Sequence, residues 1–231
     1  MTEETLENDI DNSWINIADI MTGLMMVFMF VAVAFMYQLQ HQKDLNSAFQ
    51  DTYRAELNKA LHETFDKNLM AWKATITKGN VFRFSAPFEV GSSEMSDEFK
   101  QVISEFFPRY IALLTKTKFK DEIEEVRIEG HTSDGWGEKV SADDNYINNM
   151  YLSQKRASKV LDYSYRLHDY FVQKNKKWLE KYLRANGMSF SNLIYKSEEG
   201  VIEDKDRSRR VEFRVMVKVV EHSKKTIIER N

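Results

Sequence analysis

The chain has no cysteine among its 231 residues, which excludes disulfides, thiolate metal sites and a cysteine nucleophile. It has only two prolines, Pro87 and Pro108, and therefore no proline-rich linker. It contains no Gly-x-Ser-x-Gly elbow, no phosphate-binding loop and no zinc-ligand spacing. The formal net charge of −3 does not favour nucleic acid as a partner. These absences argue against an enzyme, a resident cofactor or a metal site.

Basic residues are missing from the first 42 positions, and 20–42 lacks acidic residues as well. As a helix, those 23 residues would span roughly 35 Å, enough for a bilayer core of about 30 Å. A cleaved signal peptide would need a basic start and a small-residue cleavage site. The sequence therefore predicts an uncleaved single-pass transmembrane helix over 14–40. Trp14 and Tyr37 would lie near its two interfaces.

The charges beside this helix give only a weak prediction of its orientation. Lys43 and Arg54 follow the segment and no basic residue precedes it, so the positive-inside rule alone places the C-terminal side in the cytoplasm. The difference is two charges, and the nature of the C-terminal domain, described below, favours the opposite orientation.

Asp19 is the only charged residue between Trp14 and Gln42. It could cap a helix that starts at Ile20, accepting backbone N–H bonds at the headgroups. Alternatively the helix begins earlier and carries the carboxylate one turn inside, where charged groups are expensive and usually functional. The upstream apolar residues favour the second interpretation. Thr22, three residues on, would then offer its hydroxyl to the same face.

The stretch ADIMTGLMMVF, with a tryptophan upstream, resembles the start of the transmembrane helix of the MotB family of flagellar stator subunits. The resemblance implies that Asp19 is the ion-carrying carboxylate. The acidic N-terminus and the Met- and Phe-rich helix are more similar to the stator-like subunits of the Zorya anti-phage defence systems. A flagellar stator subunit and a passive wall tether without ion flow are the alternatives.

A helical linker is predicted over 41–78, which contains neither Pro nor Gly. Two arrangements fit its apolar stripe: pairing with a second copy, or packing against the chain's own domain. Gly79 is expected to end this helix. The stripe recurs every four residues and consists of Leu45, Phe49, Tyr53, Leu57, Leu61, Phe65 and Leu69.

The remaining pattern predicts an α+β sandwich over 79–220, with helices on one face of a sheet, followed by a tail over 221–231. Helices are expected over 96–114, kinked or divided by Pro108, and over 148–183, with a break near Asn175. Extra aromatic-rich turns in the second helix are expected to be mainly core. The predicted strands are 81–84, 125–131, NLIYK at 192–196, and 209–220.

Three motifs are more specific than this pattern. IEGHTSDGWG at 128–137 follows a strand, NMYLSQKRASKV at 149–160 matches N-x-x-L-S-x-x-R-A-x-x-V at every fixed position, and RSRRVEF at 207–213 opens the last strand. In this order they resemble the OmpA-like peptidoglycan-binding domain. The resemblance implies that the domain binds peptidoglycan, many of whose stem peptides carry diaminopimelate, with an ammonium and a carboxylate.

In that family an arginine takes the ligand carboxylate and an aspartate of a Gly-His-Thr-Asp loop takes the ammonium. Arg156 matches the arginine and is expected on the surface of its helix. Ser133 stands at the aspartate position, with Asp134 shifted by one, and Ser208 replaces the usual Asn before Arg209. The implied binding residues are Arg156, Asp134, His131, Thr132, Asn149, Ser153, Arg209 and Arg210.

The two halves together predict an ion-driven stator subunit that carries H⁺ or Na⁺ on Asp19. Its N-terminal segment, 1–13, would lie in the cytoplasm and its C-terminal domain in the periplasm of a bacterium, with the helix in the inner membrane. The expected partners are a MotA- or ZorA-like channel subunit, a second copy of the chain, and peptidoglycan.

Overall fold

The computed structural model describes residues 3–85, 87–136, 140–197, 200 and 202–218. They form two compact units. One contains the described residues up to Gln50 and the other runs over Asp51–Val219. The predicted tail 221–231 and the last two residues of the predicted strand 209–220 lie outside the described residues.

The first unit is the N-terminal part of helix α1, Glu3–Leu69. From Ile17 onward this helix is long and apolar enough to cross a membrane, by length and composition. The apolar side chains between Ile20 and Leu39 are exposed rather than packed against protein. A helix with an apolar surface all round is suited to lipid, so the helix agrees with the predicted membrane span.

The second unit is built on a five-stranded sheet with the order β1-β2-β5-β3-β4. β3 and β4 are parallel, and the other neighbours are antiparallel. A parallel neighbour requires a crossover, which the helices between β3 and β4 supply. The strands are β1 Ala74–Ile76, β2 Val81–Ser85, β3 Ile123–His131, β4 Leu183–Gly187 and β5 Arg210–Val217.

Alternation along the strands gives the sheet one apolar face and one charged face. Phe82, Val126 and Phe213 point to the apolar side and are buried, whereas Arg83 and Glu212 lie on the opposite side. This arrangement confirms the predicted α+β class. The helices of the unit after α1 are α2 Asp97–Leu114, α3 Thr117–Lys120, α4 Ala142–Arg166, α5 Tyr170–Lys174, α6 Lys176–Tyr182 and α7 Lys205–Ser208.

The C-terminal part of α1 packs into the core of this unit. Leu57, Leu61 and Phe65 are fully buried, and the Phe65 ring lies 5.3 Å from that of Phe82. The Tyr53 hydroxyl donates to the carbonyl of Phe119 over 2.9 Å. From Tyr53 onward, therefore, the apolar stripe is covered by the chain's own domain, which was one of the two arrangements that the sequence left open.

Several predicted boundaries are wrong for local reasons. α1 ends at Leu69, not at Gly79, because the chain turns at Lys73 (φ 49°) into β1, a strand the sequence did not predict. α2 runs through Pro108 without a break, so of the two predicted effects the division is wrong and the kink stays a prediction. The predicted long helix breaks before Asp169, whose side chain caps α5, as well as at Asn175.

The strand predicted over NLIYK is also wrong. Tyr195 makes only an isolated bridge with Glu203. The fourth strand of the sheet is β4, with the sequence LRANG, which lacks an apolar pattern. Its small residues serve a different purpose, because Gly187 lies against the backbone of α4.

Candidate functional site

Two glycines bring α4 into direct contact with the sheet. A Cβ added to Gly130 on β3 would lie 2.2 Å from the carbonyl oxygen of Ser153, and one added to Gly187 would lie 2.6 Å from the Gln154 nitrogen. Real Cβ atoms cannot approach so closely, so only glycine fits at both positions. The backbone of α4 at Ser153 and Gln154 is thereby fixed on β3 and β4.

A pocket of about 480 Å³ opens beside this contact. It is formed by α4, the loop that follows β3, the residue just before β5 and the loop after β2. Its apolar part consists of Val90, Trp136 and Leu152 with Gly91 and Gly135, and its polar part of Thr132, Ser133, Asn149, Arg156 and Arg209.

Arg156 is 1% exposed, which corrects the expectation that it lies on the helix surface. Its Nε donates to the carbonyl of Ser92 over 2.8 Å and its Nη2 to that of Glu89 over 2.9 Å. The guanidinium also lies over the Phe88 ring, 5.1 Å from its centroid. The 87–95 loop thus holds the Nε–Nη2 edge of the guanidinium, and Nη1 has no hydrogen-bond partner among the described residues, so it can donate to a ligand carboxylate.

Arg156 and Arg209 give the pocket a positive wall. Burial, followed by the nearby charge of Arg209, lowers the pKa of Arg156 to about 10. The Arg209 guanidinium donates to the exposed carboxylate of Asp206. Like charges held close together in a partly buried pocket favour binding of an anion between them.

Asn149 is oriented by two acceptors from the preceding turn. Its Nδ2 donates to the carbonyl of Asn145 over 3.0 Å and to the Asn145 Oδ1 over 2.9 Å. Asn145 in turn donates to the Asp134 carboxylate over 3.0 Å. The Oδ1 of Asn149 is therefore the atom offered to a ligand. Thr132, 3% exposed, has a buried hydroxyl with no hydrogen-bond partner in the described structure.

The eight wall-binding residues implied by resemblance do not all meet in this pocket. Thr132, Asn149, Arg156 and Arg209 line it. The Asp134 carboxylate is turned to Asn145 and is not part of the lining.

The other three residues occupy structural positions. Ser153 donates to the Met150 carbonyl and accepts from the Ser189 amide, so it joins α4 to the segment after β4. His131 and Arg210 lie on the opposite face of the sheet. Trp136 and Val90, which the sequence did not single out, contribute lining instead. Trp136 lies within the IEGHTSDGWG motif, which was the available signal.

The face of the sheet away from the helices carries a buried charged cluster. The Nε of Arg210 lies 2.6 Å from Glu212 Oε1, and the Nε of Arg214 lies 3.0 Å from Glu129 Oε1. Arg83 adds a second contact to Glu212 at 2.8 Å. We call Arg83, Glu129, His131, Arg210, Glu212 and Arg214 the charged cluster.

Three members of this cluster, Glu129, His131 and Glu212, have metal-ligand chemistry and donor atoms within 4.8 Å of one another. Both glutamates are already bound by arginines, however. Three guanidiniums outnumber two carboxylates, so a divalent cation would add to an existing positive excess. The cluster is therefore better described as an ion-pair network than as a metal centre.

The network sets the protonation of its members. Burial acts to raise the pKa of Glu212, but His131 and the hydrogen bond and charge of Arg210 outweigh it and hold the pKa at about 2. Burial, with the charge of Arg210, lowers the pKa of His131 despite the two nearby carboxylates. Neither ring nitrogen of His131 has a hydrogen-bond partner in the described residues.

A helix long and apolar enough to cross a membrane, joined to an α+β domain with these motifs, is an arrangement similar to that of MotB-like proteins with an OmpA-like domain. The chain is 36% identical to the Zorya protein ZorB of Escherichia coli over 231 residues, which cover 96% of each protein. The chain belongs to the ZorB family.

Solved structures give more distant similarities. A MotB-like protein from Desulfovibrio vulgaris is 18% identical and covers 77% of this chain and 99% of its own, with a TM-score of 0.45. The cell wall anchor of the type VI secretion system from Pseudomonas aeruginosa is 20% identical over 68% of this chain and 97% of its own, with a TM-score of 0.43. No protein-family model matches the chain.

Proposed function

We propose that the chain is a stator-type subunit of an ion-driven membrane motor, anchored to peptidoglycan, in a Zorya-type anti-phage defence system. Membership of the ZorB family supports the assignment to this kind of system. The observation that carries the ion-driven part is the place of Asp19. It lies inside α1, which begins at Glu3, so it cannot be the N-cap of a helix starting at Ile20.

Asp19 is exposed on an apolar helix that is long enough to cross a membrane. The Thr22 hydroxyl does not donate a hydrogen bond to the Asp19 carboxylate, because it donates to the carbonyl of Ala18 over 2.7 Å. A carboxylate in such a segment is costly when charged, and binding of H⁺ or Na⁺ removes that cost. Ion binding would therefore change the affinity of the helix for a neighbouring channel subunit.

The membrane potential supplies the energy for this cycle. One charge that falls through 100 mV releases about 2.3 kcal/mol. One helix cannot enclose an ion path, so a ZorA- or MotA-like channel subunit would supply the rest of it. A second copy of the chain would supply a second Asp19, so that the two carboxylates load alternately.

The pocket of the second unit would provide the anchor. Arg156 can donate from its Nη1 to a ligand carboxylate, as a peptidoglycan stem peptide would require. Such an anchor would require the domain to lie in the periplasm and the N-terminus in the cytoplasm of a bacterium with an inner membrane. The subunit performs no covalent chemistry, since its task is to carry an ion and resist a torque.

The test replaces Asp19 by asparagine in cells that carry the complete defence system. Asp19→Asn is expected to abolish protection against phage while membrane expression and complex assembly stay unchanged. Asp44→Asn is the matched control, because Asp44 is an exposed carboxylate on the same helix beyond the apolar segment. Full protection by the Asp19→Asn variant would leave a passive wall tether as the function.

A further inference from the structure

The described lining of the pocket carries positive charge and no carboxylate. Among the described residues that line it, the charged ones are Arg156 and Arg209. Arg209 already donates to Asp206, which does not line the pocket. Within the part of the chain that the structure describes, Arg156 donates to backbone carbonyls alone, and no described carboxylate is paired with its charge. The wall can therefore bind a carboxylate. Arg156 is the residue of the wall whose charge is not paired with a described carboxylate.

Arg156 and Arg209 repel an ammonium ligand, so a carboxylate in the lining would be needed to offset that repulsion. Asp134, in the described part of the loop after β3, does not line the pocket, and its Oδ1 accepts a hydrogen bond from the Asn145 side chain. At the adjacent position, which lines the pocket, the residue is Ser133. The described part of the pocket thus has no anion with which to neutralise an ammonium.

Neutral hydrogen-bonding groups take that place. The Asn149 Nδ2 is occupied twice by Asn145, so Asn149 presents its Oδ1 as an acceptor. The hydroxyl of Thr132 is buried without a partner in the described structure and can donate or accept. An amide N–H matches a neutral acceptor without the cost of burying an unpaired charge.

We propose that this pocket binds its ligand through a carboxylate and a neutral amide N–H, and does not read a free ammonium. The inference rests on the proposed anchoring to peptidoglycan and narrows its ligand. In an unlinked stem peptide the side-chain amine of diaminopimelate is a free ammonium, whereas in the stem peptide whose amine forms a cross-link it is acylated to an amide. The ligand class is therefore the cross-linked stem peptide, the load-bearing part of the wall.

The experiment titrates the full chain in detergent with three synthetic stem peptides. One carries the free side-chain amine, the second has that amine acetylated, and in the third the diaminopimelate carboxylate is converted to a carboxamide. Acetylation is expected to change the Kd by less than about threefold. Amidation removes a charged hydrogen-bond partner of Arg156 and is expected to raise the Kd by about tenfold or more.

Ser133→Asp is a variant that should gain recognition of the free ammonium. The new carboxylate would line the pocket, and this variant is expected to prefer the free amine over the acetylated peptide by about tenfold. It also shows that the assay resolves ammonium recognition.

Two other outcomes are separable. If acetylation weakens binding to the unmodified chain as much as amidation does, the pocket reads the ammonium and this inference is wrong, while wall binding stands. If the chain binds none of the three peptides and fails to sediment with purified sacculi, the anchoring proposed above is wrong as well.

Discussion

The carbonyl oxygen of Ser153 occupies the space that a side chain on Gly130 would need, at 2.2 Å from a Cβ built there. Gly130→Ala must therefore move α4 away from β3. We expect a loss of about 3 kcal/mol or more in the free energy of unfolding, measured by denaturant melts of the purified chain. Gly79→Ala is the control. A Cβ there would meet only the Thr77 hydroxyl at 3.7 Å, so a near-neutral effect is expected, and equal effects of the two substitutions would contradict the close packing.

Substitutions at the buried and exposed ends of the apolar stripe of α1 are expected to differ in their effect on stability. Leu61 is fully buried in the domain core, whereas Leu45 is 52% exposed. Leu61→Ala is expected to destabilise the second unit by about 2–5 kcal/mol, because it removes core contacts and leaves a cavity. Leu45→Ala should leave the same transition unchanged. A comparable loss from both substitutions would mean that the whole stripe is buried by one partner.

Cysteine cross-linking tests the second copy directly, since the native chain has no cysteine. A cysteine at Leu45 is expected to form disulfide-linked dimers in membranes that contain the channel subunit. A cysteine at Leu57 or Leu61 should not, because both positions are enclosed by the chain's own domain. Efficient cross-links at Leu61 would show that this helix leaves its domain in the assembled motor.

Arg156→Ala is expected to have two effects. It removes the group expected to bind the ligand carboxylate, which should weaken binding to sacculi, measured by sedimentation, by about 1.5–3 kcal/mol. It also leaves the carbonyls of Glu89 and Ser92 without their donor. The variant should therefore also melt earlier, by differential scanning fluorimetry. Lys159→Ala, which removes an exposed cation one turn along α4, should alter neither property. Wild-type wall binding by Arg156→Ala would remove this residue from the site.

The charged cluster predicts that the free energy of unfolding falls over two separate pH ranges as the pH is lowered. The pKa of His131 is lowered from 6.5 by burial, so the unfolded state takes up a proton that the folded state resists as pH falls below about 6.5. The pKa of Glu212 is lowered from 4.5 to about 2, so its contribution is present above pH 4.5 and is lost between 4.5 and 2. Melts of His131→Asn should lose the first decline and keep a smaller second one, because His131 is one of the groups that lower the pKa of Glu212 and Arg210 remains. An unchanged pH profile would show that His131 does not titrate on unfolding.

The sequence predicted most of the fold where side-chain patterns repeat. β3 and β5 were found because apolar and charged residues alternate along them, one set for each face. β4 was missed because its role depends on small residues and on pairing with β3, and neither leaves a periodic signal. The helix of 41–78 was correct in type, but its end depended on a turn at Lys73 that tertiary contacts impose.

The sequence predicted which residues form the site better than it predicted where their side chains lie. Arg156, Asn149 and Thr132 line the pocket as the motifs suggested, although Arg156 is buried because the 87–95 loop folds over it. His131 follows Gly130 on β3, and the alternation of the strand sends it to the opposite face from α4. A motif gives the order of residues along the chain, whereas the pleat of the strand decides which of them share a face.

The contact of α4 with β3 and β4 also has a consequence for recognition. Asn149, Leu152 and Arg156 stand within about one turn of the backbone that Gly130 and Gly187 hold against the sheet. Because that spacing is set by main chain on main chain, no rotamer change can widen or narrow it. The ordering of this wall takes place when the domain folds, so a ligand meets a surface that loses little conformational freedom on binding. In the proposed wall anchor, this wall of the pocket would already be ordered before the ligand binds.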